Sequence, residues 1–146
     1  MIKTAIALFY ILFLVGSRKD DVYHLARAID GERPNIVCTY GAYDSVCQQL
    51  ADDIGRVALN RLDAKWCDSV QECVNNGFWG AADVEFPEPW AVESARRVLE
   101  SSRRSSHFYL FSIDDCNKLE LRKEDADYVF SNGVFGFYFY DRHTQW

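Results

Sequence analysis

Twelve consecutive uncharged and mostly apolar residues, Thr4 to Val15, follow Met1-Ile2-Lys3. One positive charge, an apolar run of this length and the small pair Gly16-Ser17 ahead of Arg18-Lys19-Asp20-Asp21 are the three parts of a secretory signal peptide. The run is shorter than the roughly 20 apolar residues that span a bilayer. It also lacks the polar face that a helix lying on a core would show. The expectation is therefore a signal peptide over residues 1–17, cleaved near Ser17, and one secreted α+β domain over residues 18–146. What remains after cleavage suffices for one hydrophobic core and is short for two. The mature protein is expected outside the cell, with delivery into a host as the extension of that reading, and with no membrane segment.

An oxidising compartment gives the cysteines their meaning. Cys38, Cys47, Cys67, Cys73 and Cys116 are expected to form two disulfides with one thiol left over. Cys67 and Cys73 are six apart, which puts their Cα atoms about 9 Å apart if both lie inside one helix, too far for a bridge. Pairs that tie the first half together, such as Cys47 with Cys73, are preferred. The spacings match no zinc pattern, and His24, His107 and His143 are scattered. No metal and no cofactor are expected.

Aromatic residues make up 15% of the chain, which supplies a real core and excludes a disordered composition. The net charge of −6 argues against a nucleic-acid binder, since phosphate neutralisation needs a dense basic surface. The partner is expected to be a protein, and the chain itself a monomer.

Periodicity predicts an antiparallel sheet built from C-terminal hairpins, with two to three helices packed on one face. Val22 to Ile29 reads as a short helix or docking arm, and Ile36 to Tyr40 as a strand. Val46, Leu50, Ile54, Val57 and Ala58 share one helical face after an Asp44 cap, with Asp52, Asp53, Arg56 and Asn60 elsewhere. A short helix from Ser69 to Val74 would be capped by Asp68. Phe78 to Phe86 reads as a strand, and Pro87-Glu88-Pro89 opens a further helix with Ala91, Val92, Ala95, Val98 and Leu99 inside. His107 to Ile113, Leu119 to Leu121, Tyr128 to Ser131 and Val134 to Tyr140 read as strands. Asn132-Gly133 suits a two-residue type I′ turn between the last two.

Several groups could carry chemistry or recognition. Metal-free ribonuclease chemistry needs two proton-transfer groups and a cation. His107 beside Arg103 and Arg104, partnered by His24, His143 or Glu85, would supply such a set. The same residues also read as a strand end beside a solvated basic turn. Arg103 and Arg104 belong to the one basic concentration, which could hold an acidic group or complement a helix C-terminus. Phe135, Phe137 and Phe139 alternate with Tyr138 and Tyr140. If helices cover one sheet face, one of these rows faces water or a partner. Trp79, Trp90 and Trp146 are further anchor candidates. No common catalytic motif is present, and this weighs against an enzyme.

A signal peptide, a mature chain of this size, a few cysteines and no catalytic signature resemble the small secreted fungal effectors and killer-toxin-like proteins. That resemblance implies binding to a host or competitor protein without catalysis. Val22-Tyr23-His24, a helix from Ala91 to Leu99 and a strand from His107 to Ile113 are similar in order to the heat-labile enterotoxin-like ADP-ribosyltransferases. That family has an arginine where His24 stands, and a Ser-Thr-Ser-type strand where this chain has Val84-Glu85-Phe86-Pro87. This second resemblance implies a trimmed, inactive relative. The alternative function is thus a small secreted enzyme, ribonuclease-like or ADP-ribosyltransferase-like.

Overall fold

The computed structural model describes residues 19–32, 45–105, 107–112, 119–131 and 136–141. The expected signal peptide, the strand from Ile36 to Tyr40, the Asp44 cap, Cys38, Cys116, Phe135, His143 and Trp146 lie outside these residues. Within them the chain is α+β. Helix α1 covers residues 19–31, followed by α2 (Ser45–Asp63), α3 (Val70–Gly77) and α4 (Pro89–Glu100), then strands β1 (His107–Ser112), β2 (Tyr128–Ser131) and β3 (Gly136–Asp141).

Residues 22, 25, 26 and 29 repeat at helical spacing and give α1 one apolar stripe. Leu25, Ala26, Ala28 and Ile29 are fully buried, and Val22 packs against them. Burying Leu25 and Ile29 contributes about 2–3 kcal/mol each. The segment expected as a short helix or docking arm is therefore an integral core helix.

Helix α2 is the central element, touching α3, α4 and β1. Leu50, Ala51, Ile54, Val57, Ala58 and Leu59 are buried, as the periodicity predicts. The polar side departs from expectation, because Arg56 and Asn60 are buried too. Ser94, Arg97, Ser105 and His107 bring hydrogen-bond partners to that side, to Asp52 and Asn60. Gly55 lies where three helices converge. A Cβ there would stand 3.2 Å from Ile29 Cδ1 and 3.5 Å from Val98 Cγ2, so the missing side chain lets α1 and α4 approach α2 closely.

Ser69, not Asp68, caps α3. Its hydroxyl accepts from the Glu72 amide at 3.1 Å, while Glu72 reaches back to the Asp68 amide at 2.7 Å. This is a capping-box arrangement displaced by one residue from the expected one. Cys67 consequently sits in the turn before the helix. That placement brings its Cα to 5.3 Å from that of Cys73, and the two form a disulfide. The preferred Cys47–Cys73 pairing is overturned, and the distance limit for two cysteines inside one helix does not apply, because only Cys73 lies in the helix. Cys47 is disulfide-bonded as well.

Phe78 to Phe86 is not a strand. Trp79–Asp83 is a 3-10 helix. Its buried residues, Phe78 and Ala81, recur at three rather than two. Helix α4 follows with Pro89 in its first turn, and Ala91, Ser94, Ala95 and Val98 are buried.

The sheet has the order β1-β3-β2, antiparallel throughout. Phe137 and Phe139 enter the helical core. Tyr140, in the opposite row, is fully buried outside that core. Its hydroxyl donates to the Arg122 carbonyl at 3.4 Å, and the Asp127 amide donates to the Phe139 carbonyl at 3.0 Å. The segment before β2 thus covers the sheet face that the helices leave. Leu119 to Leu121, expected as a strand, is not one, and Glu120 has a φ of 54° that no strand accommodates. The β2–β3 hairpin forms as expected, but Ser131 lies opposite Gly136 rather than Val134. The pairing is displaced by two residues from that of an Asn132-Gly133 loop.

Candidate functional site

The segment 78–88 lies along α1 and is fixed to it at four points. At the C-terminal end of α1, Gly31 meets Gly80 backbone to backbone, and a Cβ on either would overlap the other's main chain. In the middle, Arg27 donates from Nε to the Val84 carbonyl at 3.0 Å and from Nη2 to the Ala81 carbonyl at 2.9 Å. Its Nη1 reaches Asn75 Oδ1 at 3.3 Å and His24 Nδ1 at 3.1 Å. The Tyr23 hydroxyl donates to the Glu85 carbonyl at 3.0 Å, and the Glu88 amide donates to Asp30 Oδ2 at 2.9 Å. A guanidinium is suited to this work, because its planar fork can satisfy several carbonyls at once.

The fastening has one consequence at the surface. Phe78 and Ala81 face inward, while Trp79 is 82% and Phe86 84% exposed. Asp83, Glu85 and Glu88 are exposed on the same segment. The two aromatic residues are seven positions apart. With five residues in a 3-10 helix their Cα atoms stand no more than roughly 20 Å apart, within one ordinary interface footprint.

His24 belongs to the fastening. Arg27 has only donors, so Nδ1 of His24 accepts and the ring proton sits on Nε2. Burial pushes the His24 pKa below its ordinary value; Asp20 opposes this, Arg27 adds to it and Asp21 opposes it. As pH falls, the unfolded chain therefore takes up this proton before the folded one does. The stabilisation is complete above the ordinary histidine value of 6.5 and is lost as pH drops through the lower folded value. Replacement His24→Gln keeps an acceptor for Arg27 and removes the titration. Its urea midpoint is expected to fall less between about pH 7 and about pH 5 than that of the unaltered protein. Equal falls in the two proteins would show that His24 does not titrate in this way.

The remaining candidates take other roles. His107 is on β1, its carbonyl accepting from Asn60 Nδ2 at 2.7 Å and its ring 5.6 Å from that of Phe139. Among the described contacts, His24 and His107 share no partner. Glu85 is exposed, and its main-chain carbonyl rather than its carboxylate meets Tyr23. His24 and the Glu85 main chain thus belong to the fastening along α1, and His107 to β1. Arg104 pairs with Asp63 at 2.9 Å, and Arg97 with Asp52 at 2.9 Å beside a Ser94 hydroxyl 2.6 Å from the same carboxylate. Much of the basic concentration is therefore spent joining the end of α4 to α2. Arg103 is exposed. Phe137, Phe139 and Tyr140 are buried and offer no surface, whereas Tyr138 is half-buried. Trp90 is also half-buried.

Two cations sit deep on α2. Arg56 meets Asp53 at 2.7 Å, and burial pushes the Asp53 carboxyl up against the opposing pull of Arg56. Arg61 donates to the Phe108 carbonyl at 2.8 Å and lies over the rings of Phe78 and Tyr109, 5.2 and 5.8 Å from their centroids. Burial pushes its pKa down. Arg61 thus ties α2 to β1, whereas the Arg56–Asp53 pair lies within α2. Among the described residues, no group of three or more His, Cys, Asp and Glu could hold a metal ion, and no helix is long and apolar enough to cross a membrane.

Sequence reasoning gave Trp79 as an anchor candidate and missed Phe86, Arg27 and Arg61. An aromatic flanked by Glu85 and Pro87 was a usable sign of exposure, since both neighbours disfavour a sheet interior. Arg27 depends on the Val84 carbonyl, 57 positions away, and Arg61 on that of Phe108, 47 positions away. No protein family matches the chain, nor does any curated protein or solved structure.

Proposed function

We propose that this chain is a secreted effector-like or toxin-like protein that acts by binding a host or competitor protein, without catalysis, through the segment from Trp79 to Phe86. The observation that carries the reading is the exposure of Trp79 and Phe86, 82% and 84%, on a backbone fixed by Arg27 and the Gly31–Gly80 contact. Large apolar side chains held in water on a fixed backbone lose little conformational freedom when they are covered, and aromatic residues dominate interface hot spots. The Cys67–Cys73 disulfide and the apolar leader from Thr4 to Val15 support an extracellular destination.

The test uses protein exported by a eukaryotic host, whose mass is expected to start near Arg18. A photo-crosslinking phenylalanine at position 86 should give a discrete protein adduct, and one at the exposed Gln71 on α3 should give none. Excess unaltered protein should compete the adduct away, and the double variant Trp79→Ala/Phe86→Ala should not. Because both side chains are exposed, that variant should unfold within about 0.5 kcal/mol of the parent. Competition by the double variant, or turnover of RNA or NAD by the purified protein, would overturn the proposal.

A further inference from the structure

We infer that the surface covered by Trp79 and Phe86 is basic, an arginine- and lysine-bearing face or segment of the partner protein; this rests on the docking reading given above. Between Trp66 and Ala95 the chain has no Lys, Arg or His, while it has Asp68, Glu72, Asp83, Glu85, Glu88 and Glu93. Three of these carboxylates, Asp83, Glu85 and Glu88, share the segment with the two exposed aromatics and are themselves exposed.

The internal ion pairs explain why these three remain available. Arg56, Arg97 and Arg104 pair with Asp53, Asp52 and Asp63 on α2. Arg27 is engaged by the main-chain carbonyls of Ala81 and Val84, and Arg61, over the Phe78 ring, by that of Phe108. Among the described residues, Asp83, Glu85 and Glu88 form no ion pair. Three like charges within six residues repel one another, and a cationic partner relieves that repulsion.

The aromatic side chains fit the same occupant. Arginine and lysine lay their methylene stems on apolar surface and their charged heads over aromatic faces. A basic segment would place stems on Trp79 and Phe86 and heads toward Asp83, Glu85 and Glu88. An acidic partner would bring like charge to three carboxylates. A purely apolar one would remove them from water unpaired.

The experiment uses the full exported chain and three fluorescein-labelled peptides of equal length: Lys/Arg alternating with Leu, the same with Gln for each Lys/Arg, and the same with Glu. Fluorescence anisotropy should show binding of the basic peptide alone, weakening as salt rises from about 50 to about 300 mM. Binding should weaken about tenfold or more in Asp83→Asn/Glu85→Gln/Glu88→Gln and also in Trp79→Ala/Phe86→Ala. Thermal midpoints of both variants should match the parent, since every altered side chain is exposed. Equal binding of the Gln peptide, lost only with the aromatics, overturns the basic partner and leaves the docking segment standing. Basic-peptide binding that survives loss of both aromatics overturns the docking segment too. Binding of none of the three also overturns the inference, while the crosslinking experiment judges the docking reading separately.

Discussion

Arg27→Met is expected to lower the unfolding free energy by about 3 kcal/mol, because it leaves main-chain carbonyls in a part-buried seam without their donors. The guanidinium donates to the Ala81 and Val84 carbonyls, and its third nitrogen reaches Asn75 and His24. Methionine keeps most of the side-chain volume, so the loss measures hydrogen bonding rather than a cavity. Arg27→Lys should recover only a minor part, because one ammonium cannot address two carbonyls with fork geometry. Urea denaturation monitored by circular dichroism gives both values. A loss below about 1 kcal/mol would mean that Gly31–Gly80, Tyr23 and Asp30 suffice to hold the segment.

The second large effect lies at the crossing of two glycines. Gly80→Ala places a methyl group inside the main chain of Gly31, and Gly31→Ala does the reverse. Main-chain atoms cannot rotate aside, so α1 and the 3-10 helix Trp79–Asp83 have to separate. Each substitution is expected to cost about 2–4 kcal/mol. The double variant should cost much less than the two losses added together, because the separation occurs once. Gly55→Ala offers the contrast. Its methyl group meets side-chain ends, Ile29 Cδ1 and Val98 Cγ2, that can adjust, and alanine is favoured over glycine in a helix by about 1 kcal/mol. Thermal denaturation should find it near neutral. Full additivity of the two costly substitutions would show that the glycines do not meet as described.

These sites mark where sequence reasoning stopped. Helices α2 and α4 were legible because Leu50, Ile54, Val57, Ala95 and Val98 repeat at a period that burial on one face imposes. Strand β3 was legible from its alternating aromatics, although which rows stay exposed was not. Tyr140 is covered by a segment whose irregular path depends on Glu120 at positive φ. The stretch 78–86 misled because Phe78, Trp79 and Phe86 favour strands individually, whereas Gly31 and Arg27 impose a different path from elsewhere in the chain. The Cys67–Cys73 bridge is compatible with the distance argument, which applies to two cysteines inside one helix, because Cys67 precedes the Ser69 cap. Of the candidate site, Trp79 was visible and its fastening was not. Nothing local shows that Arg27 finds its carbonyls more than fifty positions downstream.

The strand order also governs when this protein can become whole. β3 sits between β1 and β2 yet follows both in the sequence. Neither earlier strand has its neighbour until residues 136–141 have been synthesised. The helices can meet beforehand, but the space that Phe137 and Phe139 fill stays open until then. During synthesis the emerging chain therefore holds two strands without their shared neighbour and a gap where Phe137 and Phe139 belong. Closing that sheet demands contacts across long stretches of chain, the slow kind of folding step. A nascent protein paused there presents the bare edges to which chaperones and neighbouring chains are drawn.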